Sequence, residues 1–486
     1  MDGAPKVQSE LKRSMRLIDV VLFFVIAGSN LQWIATAAAA GPSSLVVWVI
    51  GCAAMFVPLS IAVIHLSSHY PDEGGMYVWS KRAFGPFAGF ITGWMYWTAN
   101  LPYFPALLYF TAGNALWISG TNGGAFAGSA PYFIIVAIAG LALGTIVNIF
   151  GLDIAKWLNN IGAASRWTVT ILLIALGALA WWKFGPATHI TATTIRPGFE
   201  LKDLIFWSVI AFAWTGPEAM SFMAGEVKNP RRSIPLGLAI AAPLIAIIYI
   251  LGTLSLLSAL TPNLIDPSSG VMQGIGHVAK SINLPMLTPI AAILVTVSCL
   301  GSVGAWLGAE ARIPFVAGID HYLPASFGKM HPKWKSPVVA LLTQAGISVI
   351  FIFLGQGGTS VKGAYEVLVS STVVITLAPF LLLFASAIKL RRTVREESIR
   401  IPGGRATVTL CGLIGLVTTS VAIVLALFPA ADEPNKPLAV AKVLLLTAIM
   451  VGSGFAFYLI GNHRAKVSAL RPAAADVRLD LRETNP

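Results

Sequence analysis

Phe23-Phe24-Val25-Ile26-Ala27-Gly28-Ser29-Asn30-Leu31 is an apolar run with small and polar residues at its centre. Phe212-Ala213-Trp214-Thr215-Gly216-Pro217-Glu218, far along the chain, has the same character. Glycine lets a helix unwind at low steric cost. Proline removes a backbone hydrogen bond and clashes with the preceding turn. Unwound backbone in hydrocarbon leaves N–H and C=O groups without partners, so it is tolerated only against protein or a polar cavity. A break halfway across a membrane therefore marks a binding site. The half-helix that restarts offers N–H groups and a positive dipole end to a carboxylate. The half that ends offers carbonyls to an ammonium.

These breaks need a membrane around them, and the composition supplies it. Of 486 residues, 56% are hydrophobic and 11% charged, against about a quarter charged in an ordinary soluble domain. A span needs about 20 mostly apolar residues. Windows of that length fall near 17–39, 43–67, 86–113, 131–151, 158–182, 203–224, 234–258, 286–309, 337–355, 364–388, 406–428 and 438–460. The first is too long for a cleaved signal peptide. Loop signals such as Gly41-Pro42, Gly185-Pro186, Asn229-Pro230 and Pro402-Gly403-Gly404 separate the windows. The expected fold class is an all-α polytopic membrane protein with twelve transmembrane helices.

Lysine and arginine orient it. With the N-terminus inside, the inner segments carry 25 of them and the outer segments 7, with Arg166 inside span 5. That asymmetry places both termini in the cytoplasm. The net charge of +12 lies in these short loops, so it is a topology signal and gives no basic face for nucleic acid. Cys52, Cys299 and Cys411 all lie in apolar runs, with no disulfide or metal spacing. No P-loop is present. The seven histidines, at 65, 69, 189, 277, 321, 331 and 463, fall at span ends or in loops. No catalytic residue, cofactor or metal is expected.

The broken spans are the first and the sixth. That spacing fits two inverted repeats, each opening with a broken helix. The expected division is a cytoplasmic tail over 1–16, a first repeat over 17–182 and a second over 203–388. A terminal helix pair over 406–460 and a tail over 464–486 complete it.

Several motifs then carry a resemblance. Tyr70-Pro71-Asp72-Glu73-Gly74-Gly75-Met76-Tyr77-Val78-Trp79 precedes Gly85-Pro86-Phe87 and Gly93-Trp94. Gly225-Glu226-Val227-Lys228-Asn229-Pro230 leads to Arg231-Arg232 and Pro235. Arg312-Ile313-Pro314 leads to Leu323-Pro324 and His331-Pro332. Over residues 15–395 the chain resembles the amino acid–polyamine–organocation (APC) superfamily of permeases. The resemblance implies a leucine-transporter-like 5+5 inverted repeat with two added helices. It also implies alternating-access transport of amino acids or related amines across a bacterial-type plasma (inner) membrane.

The resemblance further implies that Gly28 and Ser29, flanked by Ala27 and Asn30, hold a substrate carboxylate through backbone N–H groups. Ala27-Gly28-Ser29-Asn30 departs from the commoner Gly-Ser-Gly, and Asn30 adds bulk. Carbonyls near Phe212, Ala213 and Thr215, beside Gly216, would hold the ammonium, and Phe212 or Trp214 would wall the pocket. Asn100 and Tyr103, near the middle of span 3, line it from their position. Gly74, Gly75, Met76 and Tyr77 belong to a cytoplasmic gating loop.

Glu218 has two readings, a carboxylate that takes and releases a proton or one that caps the second half of span 6. Arg166 also has two. It is a fixed cation where some family members carry a lysine in place of sodium, which implies sodium independence. Alternatively, it snorkels to the cytoplasmic surface. Glu218 reads as the one clear intramembrane carboxylate, which favours a zwitterion over a polycation. The expected partners are a small amino acid or amine, protons and the lipid bilayer. The function expected is proton-coupled or exchange transport, against a polyamine permease or a non-transporting sensor. The oligomeric state stays open.

Overall fold

The structure, a computed structural model, describes residues 13–120, 126–356, 361–391, 401–428, 444–445 and 447–464; side chains at 202, 355–356, 361–371 and 374 are outside the description. The expected N-terminal tail up to residue 12, the C-terminal tail from residue 465, and residues 438–443 and 446 of span 12 therefore lie outside the described residues, as do the first side chains of span 10. Among the described residues the architecture is helical, with no strand beyond a single bridge between Met15 and Val227.

Span 1 is two helices, α1 (Leu17–Gly28) and α2 (Leu31–Ala39), parted at Ser29-Asn30, where both residues turn to extended backbone. Helix α3 (Ser43–Gly51) passes through a π-turn into α4 (Val57–His69). The expected gating loop contains a short helix, α5 (Met76–Phe84). Span 3 is not continuous: α6 (Pro86–Asn100) and α7 (Tyr103–Ala115) are separated at Leu101-Pro102. Pro102 cannot donate to the ladder, and its ring crowds the turn before it.

Helices α8 (Ala130–Ile149) and α9 (Leu152–Phe184) follow, then α10 (Leu201–Ala213). Beyond α10 the chain turns through Thr215 and Gly216 into a 3₁₀ segment, Ala219–Glu226, where an α-helix was expected. Next come α11 (Pro230–Ala259), α12 (Gly270–Ser281), which the sequence reading left as loop, and α13 (Leu287–Glu310). The series ends with α14 (Arg312–Ile319), α15 (Val338–Gln356), α16 (Val361–Leu390) and α17 (Gly404–Ala426).

Seven helical runs among the described residues are long and apolar enough to cross a membrane. They are Leu17–Ala39, Ser43–His69, Ala130–Ile149, Leu152–Phe184, Pro230–Ala259, Leu287–Ile319 and Gly404–Ala426. Of the other expected spans, span 3 is interrupted at Leu101-Pro102 and span 6 at Thr215-Gly216. The outer faces of α8, α9, α15 and α17 leave Ile135, Ile171, Leu354 and Val417 exposed. Apolar surface of this extent suits lipid, not water.

The interior is organised around α1, which packs on α9, α11 and α13. Helices α9 and α13 pack closely where two glycines meet. A Cβ built on Gly162 would lie 2.7 Å from the Gly301 Cα, and the reverse holds. Small residues allow such backbone approach, and in lipid close packing is the main attraction between helices.

Candidate functional site

The two broken spans touch at their breaks. Gly216 has φ +124°, and a Cβ there would lie 2.8 Å from the Gly28 Cα and 3.1 Å from the Ala27 carbonyl oxygen. Only glycine suits both the angle and the space.

The polar groups freed by the breaks are largely satisfied inside the protein. At the first break, the Val25 carbonyl accepts from the Ser29 N–H at 3.2 Å and the Ser29 hydroxyl at 2.6 Å. The Ile26 carbonyl accepts from Ser302 Oγ at 3.0 Å. At the second, the Phe212 carbonyl accepts from both the Thr215 N–H and its hydroxyl.

Tyr249, at the centre of α11, joins the two. Its hydroxyl accepts from the Asn30 N–H at 3.0 Å and faces the carbonyls of Ala213 at 3.1 Å and Gly28 at 3.3 Å. Trp48 stacks flat on its ring at 4.3 Å, and Trp214 meets both rings edge-on. The sequence reading did not select Tyr249. Its signal was a lone phenol at mid-span, Ile248-Tyr249-Ile250, where a hydroxyl needs a buried partner.

Beside the breaks is a cavity with about 320 Å³ of space between its walls, part of it open. Ala27, Asn30 and Trp33 reach it from span 1, and Phe212, Ala213 and Thr215 from span 6. Tyr96, Asn100 and Tyr103 flank it at the Pro102 kink, and Trp306 and Thr376 complete it. Trp33 and Tyr103 both set their rings edge-on to Phe212. The Trp306 indole N–H on this wall is buried without a partner. No lining residue is charged. Seven residues selected from the sequence thus share one cavity: Ala27, Asn30, Asn100, Tyr103, Phe212, Ala213 and Thr215. Gly28, Ser29, Trp214, Gly216, Glu218 and Arg166 lie off its wall.

Arg166 is completely buried, far from any snorkelling position. Its guanidinium donates to Ser298 Oγ at 2.6 Å, to Ser302 Oγ at 2.8 Å and, at 3.5 Å, to the Asn30 side-chain oxygen. The Asn30 amide in turn donates to the Tyr103 hydroxyl at 2.7 Å. The cation is thus wired to the first break by two routes, through Ser302 to Ile26 and through Asn30 to the cavity wall. No ion pair of Arg166 occurs among the described residues.

Glu218 is also completely buried. One oxygen accepts from the Tyr96 hydroxyl at 2.6 Å, and the other from the Gly216 N–H at 2.9 Å. Its side chain makes no capping bond to the 3₁₀ segment that follows. It closes back on the break and reaches the cavity through Tyr96.

Glu218 is not alone, which corrects the sequence reading. Glu310, at the end of α13, is just as buried. The expected end of span 8 at residue 309 placed it in a loop, whereas the helical run continues to Ile319.

On the side predicted to face the cytoplasm, the Gly74-Gly75 turn docks on the 3₁₀ segment. The Gly74 N–H donates to the Phe222 carbonyl, and Glu73 accepts from the Gly225 N–H at 2.7 Å. Arg312 grips Glu226 with both arms, at 2.7 and 3.1 Å, and lies 3.9 Å from Glu73. Burial and the neighbouring Glu226 push the Glu73 pKa well up, with Arg312 pulling the other way. Tyr77 and Lys81 both bond Asp320, at 2.5 and 2.6 Å.

Helices that break where they meet, around a small uncharged cavity, are the arrangement of a membrane transport protein. The amino acid permease family matches residues 17–454, and the chain belongs to that family. An uncharacterized transporter of Legionella pneumophila is 30% identical over 92% of this chain and 96% of its own length. The glutamate/serine transporter AimA of Bacillus subtilis is 26% identical over 74% of this chain and 66% of its own. The probable agmatine/putrescine antiporter AguD of Lactococcus lactis is 25% identical over 65% and 67%.

Proposed function

We propose that this chain moves amino acids across the cytoplasmic membrane by alternating access, coupled to protons or working by exchange, and independent of sodium. Twelve spans in a 5+5 inverted repeat plus two helices, with both termini cytoplasmic, complete the reading. One observation carries it: the breaks of spans 1 and 6 meet beside a small cavity whose wall bears hydrogen-bonding groups and no charge. Such a wall complements a zwitterion, with backbone N–H groups for the carboxylate and carbonyls for the ammonium. Arg166 supplies beside Asn30 a fixed positive charge, the role a sodium ion would otherwise fill.

The rival substrate is a polyamine, in line with the antiporter relative and with the second buried carboxylate. Neither Glu218 nor Glu310 lines the cavity, so a polycation would meet no carboxylate there. A sensor on the same fold is the remaining alternative.

The test is uptake by the purified chain in liposomes, with labelled amino acids and polyamines, with and without an inward proton gradient. Saturable amino-acid uptake or exchange is expected. Polyamine uptake alone refutes the substrate class, and binding without flux under both gradient and exchange conditions refutes transport.

A further inference from the structure

Both carboxylate oxygens of Glu310 are buried without a hydrogen-bond partner. Other buried carboxylates among the described residues are provided for. Glu226 has Arg312, Glu218 has Tyr96 and Gly216, Asp19 has Asn160 and the Arg16 N–H, and Glu73 has the Gly225 N–H. An ionised carboxylate stripped of water and of donors is strongly disfavoured, and it takes up a proton instead.

Glu310 ends α13, which packs against the 3₁₀ segment that Glu218 precedes, and the charge of Glu218 bears on it. From α6, the Tyr96 hydroxyl feels both carboxylates and donates to Glu218. Arg312, two residues on, is occupied by Glu226 and Glu73. Arg166, from α9, faces Ser298 and Ser302, earlier on the Glu310 helix. Two dry carboxylates that interact, with no free cation between them, cannot both be ionised, and their protons come and go as a property of the pair.

We propose that Glu310 and Glu218 together hold the transported proton, with Tyr96 linking the pair to the substrate cavity. A proton leaves water on one side, forms an O–H bond on a carboxylate oxygen of the pair, and returns to water on the other side; no other bond changes. The inference rests on the proton-coupled reading above and adds Glu310 to it. Tyr96 both lines the cavity and donates to Glu218, so a filled cavity and a protonated pair meet on one hydroxyl.

The decisive experiment is infrared difference spectroscopy of the purified chain in lipid nanodiscs, titrated with pH in the absence of any substrate. The wild type is expected to show a titrating carboxylic-acid carbonyl band. Glu310→Gln is expected to lose it, Glu310→Asp to restore it at a shifted frequency, and Tyr96→Phe to shift it. A band that persists unchanged in Glu310→Gln, or the absence of any such band in the wild type, overturns the proposal. Glu310→Asp keeps the carboxylate and most of the packing, so the test stands even where the glutamine variant does not fold. Because no substrate is present, failure of amino-acid transport would show separately, as missing flux with the band intact.

Discussion

Replacing Tyr249 by phenylalanine tests whether the Asn30 N–H serves a substrate carboxylate. That N–H is held by the Tyr249 hydroxyl at 3.0 Å. The same hydroxyl has one proton to give, and the Ala213 carbonyl at 3.1 Å is its nearest acceptor. Tyr249→Phe therefore removes two hydrogen bonds and leaves a donor and an acceptor buried. At about 1 kcal/mol net per bond, the empty protein loses about 2 kcal/mol. A substrate carboxylate that takes the Asn30 N–H has to displace the hydroxyl in wild type but not in the variant. The bound state then loses about 1 kcal/mol less than the empty state, and affinity rises about fivefold. Equilibrium binding of a transported amino acid to purified protein, beside a thermal melt, reads both numbers. A lower melting point with unchanged or weaker affinity would refute the assignment of Asn30 to the carboxylate.

Three further outcomes follow from the same structure. Uptake is expected to be unchanged when sodium is replaced by choline, because Arg166 already fills the space beside the first break; a strict sodium requirement sinks that role. Gly162→Ala places a methyl group 2.7 Å from the Gly301 Cα and should lower stability by about 1–3 kcal/mol through overpacking, read as a fall in melting temperature with an unchanged substrate profile. Glu73 has its pKa raised by burial and by Glu226, so its contribution to stability is complete below its ordinary value of 4.5. That contribution is lost as pH rises through the raised value. Glu73→Gln should flatten the alkaline fall of the melting temperature, and a wild-type melt that rises across that window contradicts the sign.

Much of the site was legible because membrane burial makes exceptions conspicuous. Gly28-Ser29-Asn30 and Thr215-Gly216-Pro217 interrupt runs that are otherwise apolar, and the backbone breaks there. Asn100 and Tyr103 were picked out by position alone, and the Pro102 kink between them turns both toward the cavity. Tyr249 escaped notice because a single phenol at mid-span has the same sequence signature as an ordinary packing residue. Glu310 was missed for a different reason. Hydropathy windows end where charge begins, so Glu310 and Arg312 were read as the start of a loop, although the helix carries both inward. Which strand of a polar network meets which is a long-range fact: Arg166 and Ser302 are 136 residues apart, and no local pattern encodes that pairing.

The way the protein satisfies the breaks also bears on the substrate. Donors and acceptors are both already engaged, with the Asn30 N–H on Tyr249, the Gly216 N–H on Glu218, and the carbonyls of Val25, Ile26 and Phe212 on Ser29, Ser302 and Thr215. A ligand binding at the breaks exchanges its own groups for these, and any group it displaces without replacing costs about 1–3 kcal/mol. A bare amine supplies donors only. It can serve the carbonyls but leaves a displaced N–H with nothing. An amino acid carries an acceptor and a donor on adjacent atoms, which matches two breaks that present opposite polarities in direct contact at Gly28 and Gly216. On this argument the preference for a zwitterion stands even with Glu218 and Glu310 in the interior, because neither lies on the cavity wall and Glu218 reaches it only through Tyr96.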